Sequence, residues 1–155
     1  MGMDLFGKNA KNKQGDYFRA NIWYWRPLWA MIENLYPQYA NKVESAYTND
    51  GSGLNHKDSF ALSKLINRDL ENGSIKKYIE DYTSHINSLP QEDCDYCNQT
   101  GFRTWNENGV EVQKSCNVCH GELKVNSFAT NYPMDYDLVV TFQAFLENCR
   151  GFQIW

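Results

Sequence analysis

A mainly helical α+β domain with an inserted zinc-ribbon-like β-hairpin is the fold class this sequence predicts, on three observations. Apolar residues recur at helical spacing in several stretches set apart by Gly, Pro and Asn. Two Cys-x-x-Cys pairs flank an alternating stretch with Asn-Gly at its centre. The 155 residues, 42% of them apolar, suffice for one ordinary hydrophobic core. The predicted organisation is a single domain over residues 1–155, in which 1–90 and 124–155 make a helical body and 91–123 the insert.

The first twenty residues, rich in Gly, Lys and Asn, read as an irregular arm leading into the aromatic run Tyr17 to Arg26. A helix is expected from Pro27, which suits a first turn because its missing N–H is no loss there. Leu28, Trp29, Ile32 and Leu35 carry the period until Pro37. A second short helix carries Tyr39 and Val43, and residues 48–56 form a loop. Residues 58–72 read as a helix through Ala61, Leu62, Leu65, Ile66 and Leu70, stopped by Gly73 in the left-handed position past a helix end. Ser74 is placed to cap the next helix, where Ile75, Tyr78, Ile79, Tyr82, Ile86 and Leu89 keep a 3.6 period up to Pro90.

Within the insert, Phe102 to Trp105 and Val110 to Gln113 alternate like strands around a turn at Asn108-Gly109. The segment from Leu123 to Pro133 reads as extended. A last helix begins near Tyr136 with Asp135 or Asp137 at its start, and Val139, Phe142, Leu146 and Cys149 share one side. Gly151 ends it, and Phe152 to Trp155 is too apolar to hang in water and should dock on the core.

Four of the five cysteines, Cys94, Cys97, Cys116 and Cys119, form the two pairs. The spacing fits a four-cysteine zinc site, since each tight turn can place two sulfurs on one ion at about 2.3 Å and two turns complete a tetrahedron. Two disulfides are the competing reading, disfavoured in a reducing cytosol, and iron takes the same ligands. One structural Zn²⁺ per chain is the expectation: four thiolates leave no open position for water, so the site folds the chain rather than catalysing.

The segments Cys94 to Gly101 and Cys116 to Gly121 resemble knuckles of the DnaJ cysteine-rich domain, whose unit is C-x-x-C-x-G-x-G. Each keeps one of the two glycines, Gly101 or Gly121, and two knuckles imply one ion. No His-Pro-Asp tripeptide occurs, so the resemblance implies metal binding and not co-chaperone activity. The whole chain is similar to small phage and bacterial proteins that share its Met3–Gly7, Tyr17–Leu28 and Gly151–Ile154 segments. That resemblance implies a phage or bacterial origin and no mechanism; with the acidic, aromatic-rich composition of a small chain, the expectation is a non-enzymatic phage accessory protein that binds or blocks a host protein.

Charge bears on the partners. Residues 1–30 carry +3 and the remainder −7, for a net −4 that four thiolates and one Zn²⁺ would take to −6. An acidic body argues for a protein partner and weak nucleic-acid contact. The alternative is a nucleotide or nucleic-acid binder using the aromatic-basic segment 17–29 with the ribbon, through Arg19, Trp23, Trp25 and Arg26. Core packing competes with it for those rings. A third reading is an enzyme built on His56 and Asp58, for which no recognisable triad is present. Without an apolar leader or a long apolar run, the sequence predicts a cytoplasmic protein with no membrane contact.

Overall fold

The computed structural model describes residues 2–155. In chain order the elements are β1 (Gly2–Gly7), α1 (Lys13–Asp16), β2 (Tyr17–Asn21), α2 (Ile22–Leu35), α3 (Pro37–Ala40), α4 (His56–Glu71) and α5 (Ser74–Ser88). There follow β3 (Glu92–Asp93), β4 (Phe102–Glu107), β5 (Val110–Ser115), β6 (Lys124–Val125), α6 (Tyr136–Asn148) and β7 (Phe152–Ile154). Single 3₁₀ turns lie at Asp95–Cys97 and Phe128–Asn131. The fold is α+β, with small antiparallel sheets among the helices. It forms two compact units, one of the chain up to Thr83 and from Asn131 onward, the other of Ser84–Thr130, so that the division falls within α5.

In the first unit a three-stranded antiparallel sheet of order β2-β1-β7 replaces the irregular arm expected at the start of the chain. Met3 and Leu5 on β1, Phe18 and Ala20 on β2, and Phe152 and Ile154 on β7 turn one face inward. The pairing partners of β1 include residues at the other end of the chain, Leu5 facing Ile154 and Gly7 facing Phe152, so no local pattern announced it. The apolar tail docks as expected, and Ser52 and Leu54 continue the pairing on its other side, their carbonyls accepting from Ile154 and Phe152.

Helix α2 starts five residues before Pro27, because the Asn21 side chain accepts hydrogen bonds from the N–H groups of Trp23 and Tyr24 and caps it. Pro27 therefore lies inside the helix, where it forgoes one intrahelical bond. Helix α4 begins two residues earlier than expected, capped by Asn55, whose side chain accepts from the Asp58 N–H. Gly73 has φ of +81°, the left-handed conformation anticipated there. Ser74 is the first residue of α5 rather than its cap, and its N–H donates to the Asn72 side chain. Asp135 caps α6 and Gly151, with φ of +93°, follows its end. The stretch read as extended after the hairpin is strand only at β6.

One core fills the first unit. Trp25 and Trp29 stack with ring centroids 5.3 Å apart, Phe142 meets Trp25 edge-on at 5.9 Å, and Leu62, Ile66, Phe145 and Phe152 close around them. The Trp25 indole N–H donates to the Ala46 carbonyl at 2.7 Å, so its one polar atom is satisfied in the interior. No helix of the described residues is long and apolar enough to cross a membrane.

The second unit is built differently. The β4–β5 hairpin pairs in register from Phe102 facing Ser115 to Glu107 facing Val110, about the predicted Asn108-Gly109 turn. Both turn residues have positive φ, +53° and +85°, as a type I′ turn requires. The hairpin leaves most of its side chains in solvent. The buried cluster of this unit is Cys94, Cys97, Cys116 and Cys119, with Val125 packed against it.

Candidate metal centre

Two knuckles bring the cysteines together, and their backbones match. The N–H of Cys94 donates to the Leu123 carbonyl at 2.8 Å, and the N–H of Cys116 donates to the Gly101 carbonyl at 2.8 Å. Thr100 N–H donates to Cys97 O at 3.0 Å, and its counterpart Glu122 N–H donates to Cys119 O at 2.8 Å. First cysteine of one knuckle thus pairs with the fourth residue past the second cysteine of the other, in both directions. This reciprocity is the mark of a pseudo-twofold arrangement around one centre.

Each knuckle turns through a run of positive φ: Asn98 +49°, Gln99 +59° and Gly101 +78° in the first, His120 +51°, Gly121 +91° and Leu123 +65° in the second. Both glycine positions of the C-x-x-C-x-G-x-G unit are therefore left-handed in both knuckles, although only one glycine remains in each. The backbone keeps the shape, and Gln99 and Leu123 carry its strain. His120 serves here through its backbone, whose N–H donates to Cys116 O at 2.8 Å.

All four sulfurs lie within 4.8 Å of one another, Cys94 to Cys116 at 3.9 Å and Cys97 to Cys119 at 3.7 Å. A tetrahedral ion with bonds of about 2.3 Å requires sulfur–sulfur edges of about 3.8 Å. A disulfide requires about 2.05 Å, so the thiols are unpaired and set at coordination distance. No sulfur-bearing residue of the four is more than 4% exposed. Four buried cysteines are thus positioned to bind one metal ion, and the closed donor set leaves no site for water or substrate.

The polypeptide prepares the sulfurs unequally. Backbone N–H groups of Cys119 and Val118 converge on Cys116 and hold its thiol down, at about 7. Burial, reinforced by the neighbouring thiols, pushes Cys94 up to about 12. A cation must therefore displace at least one firmly held proton on binding, which makes metal affinity fall as pH falls.

The other residues singled out in the sequence are dispersed over the first unit. Arg19 stands on the solvent face of β2, 3.5 Å from Asp4, which also accepts from the Tyr17 hydroxyl. The Trp23 ring packs on Tyr132 with centroids 5.0 Å apart, and Arg26 lies over Tyr47 at 5.7 Å. Trp25 has no exposed surface and belongs to the core. The segment 17–29 thus spends most of its rings and cations on internal contacts.

His56 opens α4 and lies nearly parallel to Phe60, ring centroids 6.4 Å apart. The Asp58 carboxylate accepts from Lys42 at 2.6 Å and from the Asn55 amide at 2.8 Å, and so does not serve His56. Cys149 is fully buried, its thiol donating to the Leu146 carbonyl at 3.5 Å, and burial pushes its pKa up. Lys11 and Arg150, which local sequence did not single out, line a cleft with His56. They meet through chain topology, for which no local signal exists.

Compared with known proteins, the chain matches no family model, no curated protein and no solved structure.

Proposed function

We propose that Cys94, Cys97, Cys116 and Cys119 hold one structural Zn²⁺, and that the chain is a non-enzymatic interaction protein whose zinc-ordered unit meets another protein. The observation that carries the reading is the composition of that unit's interior: four cysteines are its buried cluster, with the half-buried Val125 packed against it. So small an apolar cluster cannot offset the entropy of ordering Ser84–Thr130, and units of this size draw on metal or disulfides. The sulfurs are set at tetrahedral edges and not at bonding distance, which favours the metal. Zinc is the ion best suited to an all-thiolate closed site that has no redox task. Iron is the competing occupant.

The surface offered to a partner is the knuckle and hairpin. Tyr96 is 66% exposed, Phe102 53% and Val110 63%, large apolar groups that a two-stranded hairpin has no third layer to cover. A protein partner would bury them. Reduced thiols suit the cytoplasm, and an acidic chain of this size suits an accessory protein that occupies or blocks a host protein there. Tyr96→Ala with Phe102→Ala should abolish co-purification of a defined partner while zinc content stays at one per chain. Undiminished co-purification would remove the hairpin from the role.

A further inference from the structure

Lys11, Arg150 and His56 come from three distant parts of the chain to one cleft of about 440 Å³, whose described lining also includes Asn9 and Phe60. Backbone hydrogen bonds fix their meeting. Lys8 N–H donates to Gly151 O at 2.8 Å and Lys11 N–H to Asn148 O at 2.9 Å, strapping the β1–α1 loop to the end of α6. Gly151 N–H in turn donates to the Ser59 hydroxyl at 3.1 Å, tying that end to the first turn of α4.

The charge of this cleft runs against that of the molecule. Its described lining residues include two cations, Lys11 and Arg150, and no carboxylate, in a chain of net charge −4. The acidic groups nearby are engaged elsewhere. Asp58 bonds to Lys42 and Asn55, and Glu147 bonds to Lys64 at 2.6 Å and to the Gln143 amide at 3.2 Å. The Lys11 ammonium rests over the Phe60 ring, 5.3 Å from its centroid, and Lys64 lies 4.9 Å from the same centroid. Phe60 thus holds the Lys11 head at the cleft by a weak contact at an exposed site, which a charge-assisted hydrogen bond to an anion readily replaces.

We propose that this cleft binds a small phosphorylated ligand, its diphosphate or phosphomonoester oxygens received between Lys11 and Arg150 with His56 and Asn9 as further polar contacts. Arg presents a planar fork that matches phosphate oxygens two at a time, and Lys adds a point charge. The volume admits a group of diphosphate size with an attached sugar or nucleoside. Because Lys11 and Lys64 already lie over Phe60, recognition rests on the phosphates and not on ring stacking. The site belongs to the first unit and is independent of the metal centre.

Calorimetric titration of the metal-loaded full chain with pyrophosphate, and separately with ADP, tests this. One saturable site is expected for pyrophosphate, weakened at least tenfold by Lys11→Gln and by Arg150→Gln and unaffected by Lys76→Gln on α5. Tighter ADP binding would show that a nucleoside adds contacts, and equal binding that the diphosphate alone is read. Both positions are exposed, so the variants should keep their helical circular dichroism. Should either misfold, amide shifts of Asn9, His56 and Gly151 on adding pyrophosphate to the unaltered chain report the same site. Absence of saturable binding would overturn the proposal, as would equal loss with Lys76→Gln, or binding of a single-stranded oligonucleotide with none of pyrophosphate.

Discussion

Gln99 and Gly121 occupy the same place in the two knuckles, at φ of +59° and +91°, and they answer substitution in opposite senses. A left-handed non-glycine residue costs about 1–2 kcal/mol, while glycine loses about 0.5–1 kcal/mol more chain entropy on folding. Gln99→Gly should therefore stabilise the metal-loaded unit by about 0.5 kcal/mol, and Gly121→Val should destabilise it by about 1–3 kcal/mol, since a β-branched residue resists that φ. Competition with a metal chelator measures both. Gly15 fails for another reason. A Cβ there would stand 2.3 Å from the Asn148 carbonyl carbon and oxygen, so Gly15→Ala must push α1 off the end of α6. A loss of about 2–3 kcal/mol in denaturant unfolding is expected; a loss below about 0.5 kcal/mol would mean the backbones yield there.

Among the elements, α4 carries two carboxylates whose pairing contributes to the acid sensitivity of the first unit. The hydrogen bond from Lys42 holds Asp58 below the usual carboxylate range, and Arg68, with the Tyr36 hydroxyl at 2.8 Å and Asn72, does the same for Asp69. Depressed folded pKa values contribute stability that is present above the unfolded value of about 3.9 and is lost as pH falls through the folded one. Denaturant midpoints should thus hold between about pH 7 and 5 and drop below about pH 4, with Asp69→Asn less stable at neutral pH and less sensitive to acid. An equal acid loss in that variant would assign the effect elsewhere. The elements also divide by legibility. Helix α6 with its Asp135 cap and Gly151 stop, the Asn108-Gly109 hairpin and the four cysteines are announced by neighbours in sequence. The β2-β1-β7 sheet is not, because Leu5 finds Ile154 across almost the whole chain and β1 is a short run that contains two Gly and an Asp. The same holds for the cleft of Lys11, His56 and Arg150, where only His56 drew attention beforehand.

For the whole molecule, the two units rest on different physics. The first has a continuous core from Met3 to Ile154 whose named members all lie outside Ser84–Thr130, and the second has its cysteines. Replacing Cys116 and Cys119 by Ser, or removing the metal with a chelator, should unfold the hairpin unit alone. Helical circular dichroism should be largely retained, with proteolytic cuts gathering between Gln91 and Lys124. One cooperative loss of the helical signal would show that the units fold as one. In finger peptides structural zinc contributes about 10–16 kcal/mol at pH 7, ample to fold a unit whose buried cluster is four cysteines.

The second unit's order depends on the metal, and native mass spectrometry of the chain purified under reducing conditions is the most direct measurement of it. The account predicts one zinc per chain, retained at neutral pH, released on acidification and absent from the Cys116→Ser, Cys119→Ser variant. A metal-free chain at neutral pH with its four knuckle cysteines paired as disulfides would contradict it.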